Sequence, residues 1–209
     1  MEDLVSEAQA SIDWSVAARP VDGQRVSGDL QLVKPFDHGV LLAVIDGVGH
    51  GEEAQAAAHL AAEVLSKHAL EPTITLVKRC HQELVRTRGV VLTIAKLQFM
   101  EKTMTWLGVG NVEGRLFRAD ARASHPSESV LMRSGLVGYQ LPALQASVLP
   151  LVSGDVLIMA TDGIDTSFEA EIHLNEKPQQ MADRILSEHF KGNDDALVLV
   201  ARYLGKQHE

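Results

Sequence analysis

Four acidic sites in this chain sit beside glycine where apolar runs begin or end: Gly28-Asp29, Asp46-Gly47, Asp162-Gly163, and the pair Asp194-Asp195 shortly after Gly192. Asp46 closes the run Val40 to Ile45 and opens Asp46-Gly47-Val48-Gly49-His50-Gly51, while Asp162 follows the run Asp155 to Ala160 through Thr161. Glycine next to an acid lets main-chain amides and carbonyls approach a small ligand closely. If the four ends converge on one rim, carboxylates within about 4 to 6 Å raise one another's pKa. Bound divalent cations remove that cost. Magnesium and manganese favour carboxylate, carbonyl and water oxygens. Two such ions about 3.5 to 4 Å apart bind a phosphoryl group and deprotonate a shared water. The chemistry is then phosphoester hydrolysis without a protein nucleophile.

An Asp-Gly pair is also a common turn dipeptide, so each site alone reads as a turn; the recurrence of an acid at the end of an apolar strand favours a shared site. His50, with an ordinary pKa near neutrality, is either a proton donor beside the metals or a packing residue at a helix start. Arg25 reads first as an exposed structural arginine and second as a phosphate contact. Cys80 and His81 fall within a helical pattern and read as packing or surface. Other catalytic motifs fail on spacing. The pairs Gly47/Gly49 and Gly108/Gly110 meet Glu52 and Glu113 where a dinucleotide loop needs a third glycine. There is no phosphate loop ending in Gly-Lys-Ser/Thr, no Gly-x-Ser-x-Gly turn and no His-Glu-x-x-His.

The elements that must position these acids follow from periodicity. Val40 to Ile45, apolar over six positions, reads as a strand buried on both faces. Ala54, Ala57, Ala58, Ala61, Val64, Leu65 and His68 recur at spacings of three and four and predict a helix, with Glu52 and Glu53 in its first turn. A second helix is expected from Ile74, Val77, Lys78, His81, Leu84 and Val85, ending near Gly89. Strands are expected at 11–18, 31–34, 90–99, 103–107, 114–117, 129–133, 155–160 and 196–203, and a last helix at 178–190. Short turns predict antiparallel pairing, and Ser134 to Gly154 reads as a long irregular connection or flap. Strands outnumber helices and the helices fall in two groups. That pattern predicts an α+β fold with sheet packed on sheet and helices outside.

The length of 209 residues suits one domain, 1–209. The single cysteine, Cys80, excludes an internal disulfide and a multi-cysteine zinc site. Acids at Glu2 and Asp3 and the lack of a spanning apolar run predict a cytoplasmic protein without a membrane partner. A net charge of -9, from 19 basic and 28 acidic residues, and only 4% aromatic residues argue against a nucleic-acid partner.

Taken together, the motifs Ser27-Gly28-Asp29, Ile45 to Gly51, Gly89-Val90-Val91-Leu92-Thr93, Gly108-Val109-Gly110-Asn111, Ser153-Gly154-Asp155, Thr161-Asp162-Gly163 and Asp194-Asp195 span nearly the whole chain. In this order they resemble the PPM-type metal-dependent serine/threonine protein phosphatases, in the bacterial branch that includes SpoIIE, RsbU and RsbX. The resemblance implies a four-layer α-β-β-α sandwich of two mostly antiparallel sheets flanked by helices. It implies that Asp46 bridges two Mn²⁺ or Mg²⁺ ions, with the Gly47 carbonyl on one of them. Asp29 would hold the Gly47 side directly or through water, and Asp162 and Asp194 would complete the other ion's shell, with Asp195 as the neighbour of Asp194. Two departures stand out. Ala196-Leu197 follow the acidic pair where the family often has a hydroxyl, and His50 is not placed where the eukaryotic type-2C enzymes carry their proposed acid. The compact chain looks most like RsbX, the feedback phosphatase of the stressosome. The expected partners are therefore phosphorylated STAS-domain proteins of the RsbS and RsbR type. The competing expectations are an anti-sigma-factor antagonist of the RsbV type as substrate, and a non-catalytic phosphoprotein-binding module on the same fold.

Overall fold

The computed structural model describes residues 11–120 and 122–205. Eleven strands and three helices are present among them: β1 (Ile12–Arg19), β2 (Asp29–Phe36), β3 (Gly39–Gly47), α1 (Glu52–Lys67), α2 (Thr73–Glu83), β4 (Val90–Gln98), β5 (Thr103–Val109), β6 (Glu113–Phe117), β7 (Ser127–Ser129), β8 (Met132–Arg133), β9 (Ser147–Pro150), β10 (Val156–Ala160), α3 (Pro178–His189) and β11 (Ala196–Tyr203). A short 3-10 helix, Thr166–Glu171, precedes α3. No described helix is long and apolar enough to cross a membrane.

One sheet has the order β1-β11-β10-β6-β7; the other runs β2-β3-β4-β5-β8, with β9 also on β5. Alternation along the strands decides what each residue meets. On β3, Val40, Leu42 and Val44 enter the core between the sheets, while Leu41, Ala43 and Ile45 pack under α1 and α2. On β10 and β11, Leu157, Met159, Leu197 and Leu199 enter the same central core, while Ile158, Val198 and Val200 meet Met181 and Ile185 of α3. Three apolar layers thus separate four layers of structure, α-β-β-α, as the α+β expectation required. β3 is buried on both faces for this reason.

Several expected elements differ in detail. The segment 129–133 is two strands, because the chain leaves β6 at Ser129 and crosses to the other sheet before Met132; β8 then runs parallel to β5. The segment 134–154 is less irregular than its glycines and prolines suggest: Val137 exchanges two main-chain hydrogen bonds with Val90, and β9 pairs with β5. β2 extends through Pro35, which is tolerated because β2 is an edge strand. In α2 the buried stripe is Thr73, Leu76, Val77 and Cys80, not a stripe through Lys78 and Val85, which are exposed. In α1 the buried residues are the six predicted apolar ones, with His68 just past the helix end.

Candidate metal centre

Asp29 opens β2 and Asp46 stands next to last on β3, and the antiparallel register makes them direct partners. Gly47 N–H donates to Gly28 O at 3.1 Å while Gly28 N–H turns to Asp195 Oδ2, so position 28/47 keeps one of the two bonds of a hydrogen-bonded pair. The adjacent pair 29/46 is then of the non-hydrogen-bonded kind, where facing Cβ atoms stand about 4.5 to 5.5 Å apart. By the alternation above, both side chains point to the mouth between the sheets. Asp162 follows β10 and Asp194 precedes β11, so the second sheet brings its acids to the same rim; the fields of Asp29, Asp162, Asp194 and Asp195 all act on Asp46. The four sequence-predicted acidic sites are thereby brought together.

Their surroundings differ. Thr161 Oγ1 donates to Asp29 Oδ2 at 2.7 Å and accepts from Leu197 N at 2.9 Å, tying the two sheets across the mouth. Asp162 Oδ2 accepts from Asn111 Nδ2 at 2.6 Å, and Lys191 Nζ donates to the Asp162 main-chain oxygen at 2.8 Å. Asp194 is exposed, and its Oδ1 accepts from Asp195 N at 2.8 Å. The buried carboxylate of Asp195 is engaged by main-chain donors, Val21 N at 2.8 Å and Gly28 N at 2.6 Å. Asp46 is the exception: among the described residues no donor meets its carboxylate.

The electrostatics follow. Burial first, then the negative field of Asp29 and the other acids, pushes Asp46 up to about 8. Burial likewise lifts Asp29 to about 7, against the lowering bond from Thr161. Asp162 is raised by burial and by Asp194. No described Lys or Arg forms an ion pair with the carboxylates of Asp29, Asp46, Asp162 or Asp194. A set of acids so poor in cations fits a site for hard divalent ions.

The glycines keep the site open. A Cβ on Gly28 would stand 3.2 Å from Gly47 O and 3.5 Å from Asp195 Oδ2, filling the space beside that carbonyl. A Cβ on Gly47 would fall 2.1 Å from Ala54 O, and one on Gly163 2.1 Å from Asp195 O. Those two glycines therefore seat α1 against β3 and the Asp162 turn against the start of β11. His50 is exposed and lies 3.5 Å from Gln24 through Nδ1. Arg25 is exposed on the loop before β2. Asn111 and Thr161, which lie inside two of the motifs, and Asp195, expected only as the neighbour of Asp194, hold the acids of the rim or the loop beside them. Their signal was a polar side chain beside a glycine turn, which does not show what it will face after folding.

This layer order with an acidic rim is that of the PPM-type protein phosphatases, hydrolases for which dependence on a divalent metal is general. The family model described as Stage II sporulation protein E (SpoIIE) matches residues 37–204. The phosphoserine phosphatase RsbX of Bacillus subtilis (strain 168) is 26% identical over 144 residues, 69% of this chain and 70% of that protein. A solved structure from a bacterial stressosome, described as a modular system adapted to control secondary messenger signalling, has a TM-score of 0.84 at 26% identity, covering 91% of this chain and 99% of its own. RsbX in complex with magnesium gives a TM-score of 0.82 at 22% identity, covering 92% and 96%. The chain belongs to the SpoIIE family of PPM-type protein phosphatases.

Proposed function

We propose that this chain is a cytoplasmic phosphatase that hydrolyses phosphoserine and phosphothreonine on STAS-domain stressosome proteins of the RsbS and RsbR type, as a feedback regulator of general stress signalling. The observation that carries the reading is Asp46, a carboxylate without a hydrogen-bond donor, set opposite Asp29 and within the field of three further acids. Asp29, Asp46, the Gly47 carbonyl, Asp162 and Asp194 would hold two ions, Mn²⁺ or Mg²⁺. Bound there, such ions neutralise the rim, bind the phosphoryl oxygens and activate water for attack on phosphorus. The residues around them have separate tasks. Thr161 orients Asp29, Asn111 orients Asp162, and Asp195 holds the loop ahead of Asp29 at Val21 and Gly28. The choice of substrate is supported by the likeness to RsbX, a phosphoserine phosphatase, and to a stressosome structure.

The test has two arms. Hydrolysis of p-nitrophenyl phosphate should need Mn²⁺ or Mg²⁺ and disappear in excess chelator; full activity with chelator sinks the enzyme reading. Comparing kcat/KM on phosphorylated RsbS- or RsbR-type proteins and on a phosphorylated RsbV-type antagonist decides the substrate. Stable retention of the phosphoprotein without phosphate release would favour a binding module instead.

A further inference from the structure

Away from the acidic rim, Glu171 at the end of the 3-10 helix and Glu188-His189 at the end of α3 bring ligand atoms within 4.8 Å of one another. His189 is only 9% exposed, yet its Nε2 is buried without a hydrogen-bond partner. Its other ring nitrogen, Nδ1, lies 3.1 Å from Ser167 Oγ, which fixes the ring plane. Phe168 packs edge-on against the ring at 6.2 Å between centroids. So held, Nε2 faces Glu171 Oε2 at 3.6 Å, beyond hydrogen-bond length. Both glutamates are exposed. One neighbour opposes a cation: Arg184 Nη1 lies 3.8 Å from Glu188 Oε2.

We propose that Glu171, Glu188 and His189 form a second cation site for a transition metal of the zinc class, distinct from the carboxylate rim. One imidazole nitrogen with two carboxylate oxygens, leaving a position for water, is a donor set that zinc favours and magnesium does not. A buried imidazole oriented through its other nitrogen matches the way ligating histidines are held. Nε2, otherwise a buried polar atom without a partner, would be satisfied by the ion.

The position of the site gives it a consequence. His189 O accepts from Asp165 N at 2.8 Å, Phe190 bridges Ile164, and Lys191 N donates to Gly163 O at 2.9 Å. An ion joining the 3-10 helix to the end of α3 therefore pins the chain crossing that carries Asp162. Its effect is local stabilisation, read independently of phosphatase activity.

The experiment titrates Zn²⁺ into the full-length protein in saturating Mg²⁺, by calorimetry and thermal denaturation. One additional zinc per chain and a raised Tm are expected, and both should persist in Asp46→Asn, which separates this site from the rim. Glu171→Gln, Glu188→Gln and His189→Gln should each weaken zinc binding roughly tenfold or more. Because His189 is buried and its variant can fail to fold, the two exposed glutamate variants carry the test. Zinc binding unchanged in both, or lost in Asp46→Asn, or no zinc binding beyond displacement of Mg²⁺, overturns the proposal.

Discussion

Asp29 and Asp46 are direct cross-strand partners on β2 and β3, so the sheet, not a loop, sets the approach of their carboxylates. Like charges placed this way oppose folding, and here burial deepens the cost. Function and stability therefore pull in opposite directions at this pair. Asp46→Asn should lower metal-dependent phosphoester hydrolysis on the order of 10²- to 10³-fold, as removal of a key electrostatic group does, while raising the Tm of the metal-free protein. Steady-state kinetics and thermal denaturation in chelator check the two halves.

The same acids predict a pH dependence whose sign can be worked out. Asp46 and Asp29 titrate at about 8 and about 7 in the folded metal-free chain, against an ordinary 3.8. Between those limits the folded chain keeps protons that the unfolded chain has lost, so stability falls as pH rises. The cost is absent below the ordinary value and complete above about 8. The Tm of chelated protein should thus drop from about pH 6 to about pH 8.5, and Mg²⁺ should restore it most at the alkaline end. A Tm that rises over that range would contradict the reading.

Asn111 holds Asp162 from outside the proposed ligand set, through a 2.6 Å hydrogen bond. Asn111→Ala removes an exposed side chain and should leave the Tm in chelator nearly unchanged. Metal affinity should fall about 10- to 100-fold. The concentration of Mn²⁺ needed for half-maximal activity measures it.

Asp195 accepts two main-chain N–H bonds from residues 167 and 174 positions away. Asp195→Ala leaves a buried donor at Gly28 without a partner, at about 1–3 kcal/mol, and a part-buried one at Val21 at a smaller cost. Chemical denaturation should show the loss in chelator as well as in metal, since it does not depend on an ion.

Tyr139, 81% exposed, is carried at the tip of a tight turn that Gly138 anchors to His81 Nδ1 at 3.0 Å. The turn is joined to the centre through Val137 on Val90 and Gly89 O on Val48 N. Tyr139→Ala should reduce kcat/KM for a phosphoprotein several-fold and leave p-nitrophenyl phosphate turnover unchanged. Deleting part of 134–154 would not isolate that role, because β9 belongs to the sheet.

How much of this was legible beforehand depends on locality. β3, α1 and β11 were readable because a run or a period over neighbouring residues dictates them. The splitting of 129–133 was not, since Val130 and Leu131 change sheets for reasons of long-range pairing. The stripe of α2 was misread because Lys78 and Val85 continue the three-four spacing yet face water. At the rim, the acids announced themselves by type and repetition. Thr161 did not, because its hydroxyl acquires meaning only when β10 brings it to Asp29 and Leu197. Leu197, which stands two residues beyond Asp195, enters the arrangement through its main-chain N–H on Thr161 Oγ1.

The clamp of Asp195 on Val21 and Gly28 also bears on biosynthesis. Its partners leave the ribosome well before Asp195 and β11, the strand between β1 and β10. A nascent chain carrying β2 and β3 already has Asp29 and Asp46, but lacks Asp194 and the anchor that fixes the loop ahead of Asp29. A chain that stops before residue 194 therefore lacks both the clamp on the loop ahead of Asp29 and an acid of the rim.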